Sequence, residues 1–289
     1  MKNIDRRTFI GKSLLGLGAT ALITQLPLTG MADIAGLHPR HPVGFQVYTI
    51  REMLVKDFPG TLKMMAKLGY QEVEMCSPAG YITSGFEPLV KINPADMRKI
   101  IIDSGLTCPS SHFTMEELKN NLDARIEFAG KLGLTQMIAS SAGLPKEATM
   151  SDWLKAADQL NEMGIKTQKA GIQLGYHNHH MEFEKLGGEL IYDKLLQKLD
   201  PALVKMQFQV AVISIGFKAE TYFIKYPRRF ISAHLADWSA TENKQVPVGK
   251  GVVDWKSFYN AAEIGGVKNY FVEMDMDKFA ESVVNINAM

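Results

Sequence analysis

The stretch Gly171-Ile172-Gln173-Leu174-Gly175-Tyr176-His177-Asn178-His179-His180 reads as a short buried strand that ends in imidazoles. Three of the chain's seven histidines fall inside its last four residues. Side chains alternate along a strand, so His177 and His179 point to one side and His180 to the other. Polar side chains at the carboxyl end of a buried strand are where parallel α/β proteins keep their chemistry. A solvated polar turn is the plainer reading of one His-Asn-His, and the rest of the chain decides between the two.

From Pro42 onward, short strand-like runs alternate with helical patterns of about a dozen residues, the sequence form of repeated βα units. Eight strands are expected at 43–49, 72–75, 107–112, 136–139, 172–177, 204–210, 230–235 and 270–274. Helices are expected to start near Phe58, Pro94, Met115, Ser151, Gly188, Lys218, Trp255 and Asp277. Asn93-Pro94 sets a cap before a proline at the first helical position, and Ser151 and Asp277 are caps of the same kind. Gly69, Gly105, Gly133, Gly171 and Gly265-Gly266 each fall between a helix and the next strand, where a residue tolerant of positive φ ends the helix. Eight parallel strands with helices outside make a single α/β domain, a (β/α)8 TIM barrel over residues 42–289. A doubly wound open sheet is the alternative fold.

In such a barrel the site forms where the strands end. The ends offer Gln46 and Tyr48, then Glu74, then Ser110, Ser111 and His112, then Ser140 and Ser141, then His177 and His179. Gln207 and Gln209 follow, then His234 with Asp237 and Trp238, and finally Glu273 with Asp275. Each alone has a bland reading, a satisfied polar core residue or a solvated loop. Together, His, His, Gln and Glu from the last four strands make a mixed nitrogen and oxygen set that suits Mn, Co, Zn or Fe better than Ca.

The first 32 residues read as an address. Arg6-Arg7-Thr8-Phe9-Ile10-Gly11-Lys12 resembles a twin-arginine export motif, an apolar stretch runs from Leu14 to about Leu28, and Gly30-Met31-Ala32 offers a cleavage site. Residues 33–41 are then a leader remnant, the protein is expected in the periplasm, and no stable membrane insertion follows cleavage. The Gly16-Leu17-Gly18 and Ala21 pattern has no strand before it and is not a dinucleotide fingerprint. The chain is +1 overall, and residues 1–32 carry +3 (Lys2, Arg6, Arg7 and Lys12 against Asp5), which leaves the body at −2. That balance argues against nucleic acid as a partner. Cys76 and Cys108 are expected at opposite ends of neighbouring strands, out of reach of a disulfide.

From about residue 42 to the end, the chain resembles the xylose isomerase-like TIM barrels, the sugar phosphate isomerase/epimerase group that includes endonuclease IV. The resemblance rests on GFQVYTIR at 44–51, GYQEVEM at 69–75, SSH at 110–112, GYHNHHMEF at 175–183, RFISAHLADW at 229–238, PVGKGVVDW at 247–255 and YFVEMD at 270–275. It implies one divalent metal (Mn, Co, Zn or Mg) held by His177, Gln209, His234 and Glu273. Of these, His177 stands for a family Glu and Gln209 for a family Asp.

The resemblance further implies Glu273, with His177 or His179, as acid and base. Tyr48, Glu74, His112, Trp238 and Lys250 would then meet a small sugar or keto-sugar, with Phe113 adding apolar surface. The activity implied is an isomerase or epimerase that moves a proton beside a carbonyl. A lyase or hydratase on 3-keto-glycosides is the alternative, suggested by the Tyr-His-Asn-His form of strand five and the lost carboxylates. A non-catalytic sugar-binding barrel is the third reading.

Overall fold

The structure is a computed structural model that describes residues 42–289; the export-type segment 1–32 and the remnant 33–41 lie outside the described residues. Eight strands, β1 (Val43–Gln46), β2 (Glu72–Cys76), β3 (Thr107–Phe113), β4 (Gln136–Ala139), β5 (Gln173–His177), β6 (Val204–Gln209), β7 (Phe230–Leu235) and β8 (Asn269–Val272), pair in parallel and in chain order. β1 closes on β8, so the sheet is a barrel and has no free edge. The (β/α)8 expectation holds, and the open sheet does not.

Helices Phe58–Leu68, Pro94–Asp103, Met115–Leu132, Met150–Lys169, Ile191–Lys198, Ala219–Lys225, Trp255–Gly265 and Phe279–Asn287 follow the strands in turn. Asn93 caps the second through its side chain, which accepts from the Asp96 N–H. Gly69 (φ 110°) and Gly266 (φ 87°) end their helices in the left-handed region, as their position between helix and strand demands.

Several boundaries differ from expectation, each for a local reason. β1 stops at Gln46, because the Tyr48 N–H turns back onto the Gln46 side-chain oxygen and opens a 3-10 turn over Tyr48–Ile50. β8 stops at Val272, so Glu273 stands on the loop after the strand. Thr149, not Ser151, caps Met150–Lys169, in a reciprocal box with Asp152. Gly187 and Gly188 serve the turn of a small hairpin (Lys185–Leu186 with Glu189–Leu190), so the helix expected there starts at Ile191. Asp277 sits inside a 3-10 turn, Met276–Lys278, and caps nothing.

Alternation divides each strand between two cores. Outward residues such as Tyr176, Phe208 and Phe113 are buried under the helices; Phe208 packs edge-on to Phe223 at 5.6 Å. Inward residues fill the barrel, and most are polar. Space for the one large inward ring, Phe271, comes from Gly44, where a Cβ would meet that ring at 2.5 Å. Above Phe271 the interior becomes a column of carboxylates, amides and imidazoles that rises toward the carboxyl ends of the strands. Cys76 and Cys108 are both free thiols.

Candidate active site

Register places the inward ends of the strands side by side: Cys76 with His112, His177 with Gln207, Gln209 with His234, and His234 with Phe271. The imidazoles of His112, His177 and His234 therefore meet at the barrel's carboxyl mouth. His112 stacks on His234 with ring centres 5.1 Å apart, and His177 lies 5.0 Å from His112 and 4.4 Å from His234. One ligand nitrogen from each falls within 4.8 Å of the other two.

Beneath them sits Glu74, fully buried, with four donors around its carboxylate. Ser110 Oγ donates to Oε1 at 2.6 Å and Gln207 Nε2 to Oε1 at 2.7 Å. His234 Nε2 lies 2.5 Å and His112 Nε2 3.2 Å from Oε2. Burial alone would push this acid up, but the two imidazoles and their hydrogen bonds outweigh it and hold the carboxyl well below the usual range. The sequence reading put Glu74 against substrate; with every lone pair used and no exposed surface, it is instead the anchor that orients two imidazoles. Ser232 steadies Gln207 by accepting from its amide at 2.9 Å. The sequence reading missed it, though it lies two residues before His234 and so faces the same way.

Glu273 closes the group from above. Its Oε2 lies 3.0 Å from His234 Nδ1 and accepts from Gln209 Nε2 at 2.6 Å. Burial opposes its charge, but His234, followed by His112 and His179, keeps its value lowered and the carboxylate ionised. Burial also opposes a charge on His234, yet Glu273 and Glu74 on either side raise it to about 9. Gln209 was expected to ligate through its carbonyl oxygen. That oxygen accepts from the Ala211 N–H at 3.2 Å while the amide nitrogen positions Glu273, and His112 joins His177 and His234 as a third imidazole of the cluster.

After β5 the chain makes a tight turn fixed by Glu182, which is fully buried. It accepts from the Tyr176 hydroxyl at 2.5 Å and from the His179 N–H at 2.8 Å. This turn folds His179 edge-on to His177, ring centres 4.8 Å apart, while His180 faces the surface near Ser214. Burial, then His234 and the other imidazoles, push His177 well below its ordinary value. Burial pushes His179 down to about 4. Both rings are therefore neutral at neutral pH, and Nδ1 of each is buried without a hydrogen-bond partner.

The remaining expected contacts scatter. Tyr48 stands half-exposed at the rim, edge-on to Tyr81 at 6.0 Å and under Arg51. Trp238 is half-buried on a hairpin (Asp237–Ser239 with Lys244–Val246) beside the mouth. Lys250 is exposed and pairs with Glu281 at 3.3 Å, so the structure gives it a surface partner. Phe113 alternates outward and packs on Phe128, away from the mouth.

The loop after β7 is held by one buried acid. Asp237 accepts from the backbone N–H groups of Gly249, Gly251 and Val253 and from the Trp255 indole at 2.9 Å. Replacing Asp237 with Ala strands these donors. We expect a loss of about 2–4 kcal/mol and faster hydrogen exchange at the Gly249, Gly251 and Val253 amides than elsewhere in the barrel.

A second expectation concerns pH. In chelator-treated protein, His234 titrates at about 9, against about 6.5 when unfolded. Its contribution, about 3 kcal/mol by linkage, is complete below pH 6.5 and is lost as pH rises through 9. Denaturation midpoints should fall across that window, and His234→Gln should flatten the slope. Glu74 and Glu273 act in the opposite sense: their lowered values add stability above the usual carboxylate range and lose it in acid.

The donor set fits a divalent cation. Three imidazoles converge, one of them with an unpartnered buried nitrogen, and an ionised carboxylate stands beside them. This mixed nitrogen and oxygen set is what borderline divalent ions take.

Comparison with known proteins bears on the same region. Residues 62–281 match the family described as "Xylose isomerase-like TIM barrel". A sugar phosphate isomerase/epimerase from Parabacteroides distasonis is similar over 91% of this chain and 97% of its own, at 26% identity and a TM-score of 0.71. A xylose isomerase-like TIM barrel protein from Mycobacterium smegmatis, solved in complex with magnesium, shares the fold at 16% identity and a TM-score of 0.59. That match covers 86% of this chain and 96% of the other. Among curated proteins, an inosose dehydratase of Bacillus anthracis is 31% identical over 90 residues, 31% of this chain and 30% of the relative's length.

Proposed function

The chain belongs to the xylose isomerase-like TIM barrel family, and from that premise we propose that it is a sugar or keto-sugar isomerase or epimerase that moves a proton at the carbon beside a carbonyl. One observation carries this reading: an ionised carboxylate, Glu273, shares a barrel mouth with two imidazoles held neutral, His177 and His179. Both internal hydrogen bonds of Glu273 end on Oε2, which leaves Oε1 to accept a proton from substrate. His179, neutral and with an unpartnered Nδ1, is the group to exchange a proton on the other side. His112, His177 and His234, with Glu273, would hold one divalent ion, which when bound supplies Lewis-acid polarisation of the carbonyl oxygen. Gln209 aims Glu273, Glu74 aims His112 and His234, and the Tyr48–Tyr81 edge offers an apolar wall to a sugar ring.

A second reading, a lyase on a keto-sugar or 3-keto-glycoside, has its own support in the segment shared with inosose dehydratase. The first step is the same, removal of the proton beside the ketone by Glu273. The proton that Glu273 has taken then goes to the departing oxygen, which leaves as water or an alcohol, instead of back to carbon. Turnover of keto-sugars in D2O separates the two. Deuterium at the carbon beside the ketone with all substituents retained is the isomerase or epimerase outcome; release of water or an alcohol is the lyase outcome. Sugar binding without exchange, release or bound ion contradicts both and makes the barrel a binder.

We further propose that the protein works outside the cytoplasm, on the support of Arg6-Arg7-Thr8-Phe9 and the apolar stretch after it. Arg6→Lys with Arg7→Lys should leave it in the cytoplasmic fraction, and unchanged export would remove this part of the proposal.

A further inference from the structure

The barrel also opens at its other end. A cavity of about 420 Å³ lies at the amino-terminal mouth, within the range of small-molecule sites. Its polar lining includes Gln136, Gln173, Lys205, Arg228, Lys268 and Asn269. These residues stand at the first position of β4, β5 and β8, at the second of β6, or on the turns entering β7 and β8, at the end of the barrel opposite the imidazoles. In barrels of this fold, that face ordinarily serves stability alone.

Its charge is one-sided. Lys205 Nζ donates to the Arg228 carbonyl oxygen at 2.9 Å. Among the described residues, no ion pair takes up Lys205, Arg228 or Lys268. Burial, then Arg229 and Lys268, lower the Lys205 value, so like charges crowd one another here. The acid nearest by hydrogen bonding is Glu72, which sits behind Asn269 and is raised toward its neutral form by burial.

A separate observation asks for a ligand. Gln136 lines the cavity and is 97% buried; one end of its amide donates to Asn269 Oδ1 at 2.6 Å, and the other, Oε1, has no partner. An unpaired buried amide end costs about 1–3 kcal/mol, a cost that a hydroxyl group in the cavity would remove.

We propose that this cavity is a second ligand site, for a small phosphate or carboxylate anion on a hydroxylated skeleton. Lys205, Arg228 and Lys268 meet the charge, and the open end of Gln136 takes a hydroxyl. The site is independent of the chemistry at the other mouth.

Calorimetry on the full chain at low ionic strength tests it, with glucose 6-phosphate, gluconate, glucose and inorganic phosphate as probes. At least one of the two charged sugars should bind about tenfold or more tighter than glucose, and whichever binds tighter identifies the anion. Lys268→Gln, on an exposed side chain that leaves the fold intact, should weaken that binding about fivefold to tenfold, as should Lys205→Gln, whereas binding at the catalytic mouth would be untouched by either. Three results overturn the proposal. They are equal binding of glucose and the charged sugars, inorganic phosphate binding as tightly as glucose 6-phosphate, or binding unchanged in both Lys268→Gln and Lys205→Gln.

Discussion

Glu273→Gln, assayed at saturating divalent ion because the same side chain helps hold it, is expected to lower kcat by about 10²–10⁴ with little change in KM, because it removes the group that takes the proton. The amide matches the carboxylate in size and can still meet Gln209 and His234, so the mouth keeps its shape. What it loses is the lone pair that accepts the proton and the charge that helps hold His234 near 9. Glu273→Asp keeps the charge and draws it back by one methylene, so it should fall between wild type and Gln. His179→Ala should cost less than Glu273→Gln, because solvent at the rim can replace a neutral imidazole in proton exchange. Steady-state kinetics on a keto-sugar that the wild type turns over checks all three. A Glu273→Gln enzyme with unchanged kcat would contradict Glu273 as the base.

Glu74→Leu should be the most destabilising single change at this end of the barrel, by about 3–5 kcal/mol, or about 6–20 °C in Tm for a domain of this size. Glu74 has no exposed surface and satisfies Ser110, Gln207, His112 and His234 together. Leu fills part of the volume and strands the Ser110 hydroxyl, one Gln207 amide proton and the His234 Nε2–H, while His112 keeps the Gln207 oxygen at 2.7 Å; the His234 imidazolium left without its partner is the costly half of breaking a buried ion pair. The penalty should shrink in Glu74→Leu with His234→Leu, since the second change removes the imidazolium left without its partner. Urea denaturation of the single and double variants measures the coupling. A single-variant loss below about 1 kcal/mol would mean that Glu74 does not anchor the imidazoles.

The barrel was legible because each unit repeats its own punctuation. Gly69 and Gly266 end helices in conformations that β-carbon residues resist, and Asn93-Pro94 starts one, so errors at single boundaries did not accumulate. The misplaced ends share a physical cause. Side chains such as Gln46 and Thr149 redirect the backbone locally, and hydrophobic pattern does not report that.

At the site, strand-end position and the family resemblance brought out His177, Gln209, His234 and Glu273 but not which of them touch. Glu74 and His234 are 160 positions apart in sequence, and only barrel closure brings them into contact. The strand position of Gln209 is visible in sequence, whereas its amide bond to Glu273 and its oxygen's bond from the Ala211 N–H are not. Phe113 had the right chemistry for a sugar, but the outward phase of β3 assigns it elsewhere; the surface pairing of Lys250 with Glu281 is a contact that the sequence does not report.

The claim on which the rest turns is that the imidazoles of His112, His177 and His234, with Glu273, surround one cation at the carboxyl mouth. Anomalous diffraction from crystals of protein purified without chelator tests it most directly. The account predicts a single peak within about 2.0–2.3 Å of donor atoms from at least three of those four side chains. A mouth without a peak, with His234 still closed between Glu74 and Glu273, would contradict it.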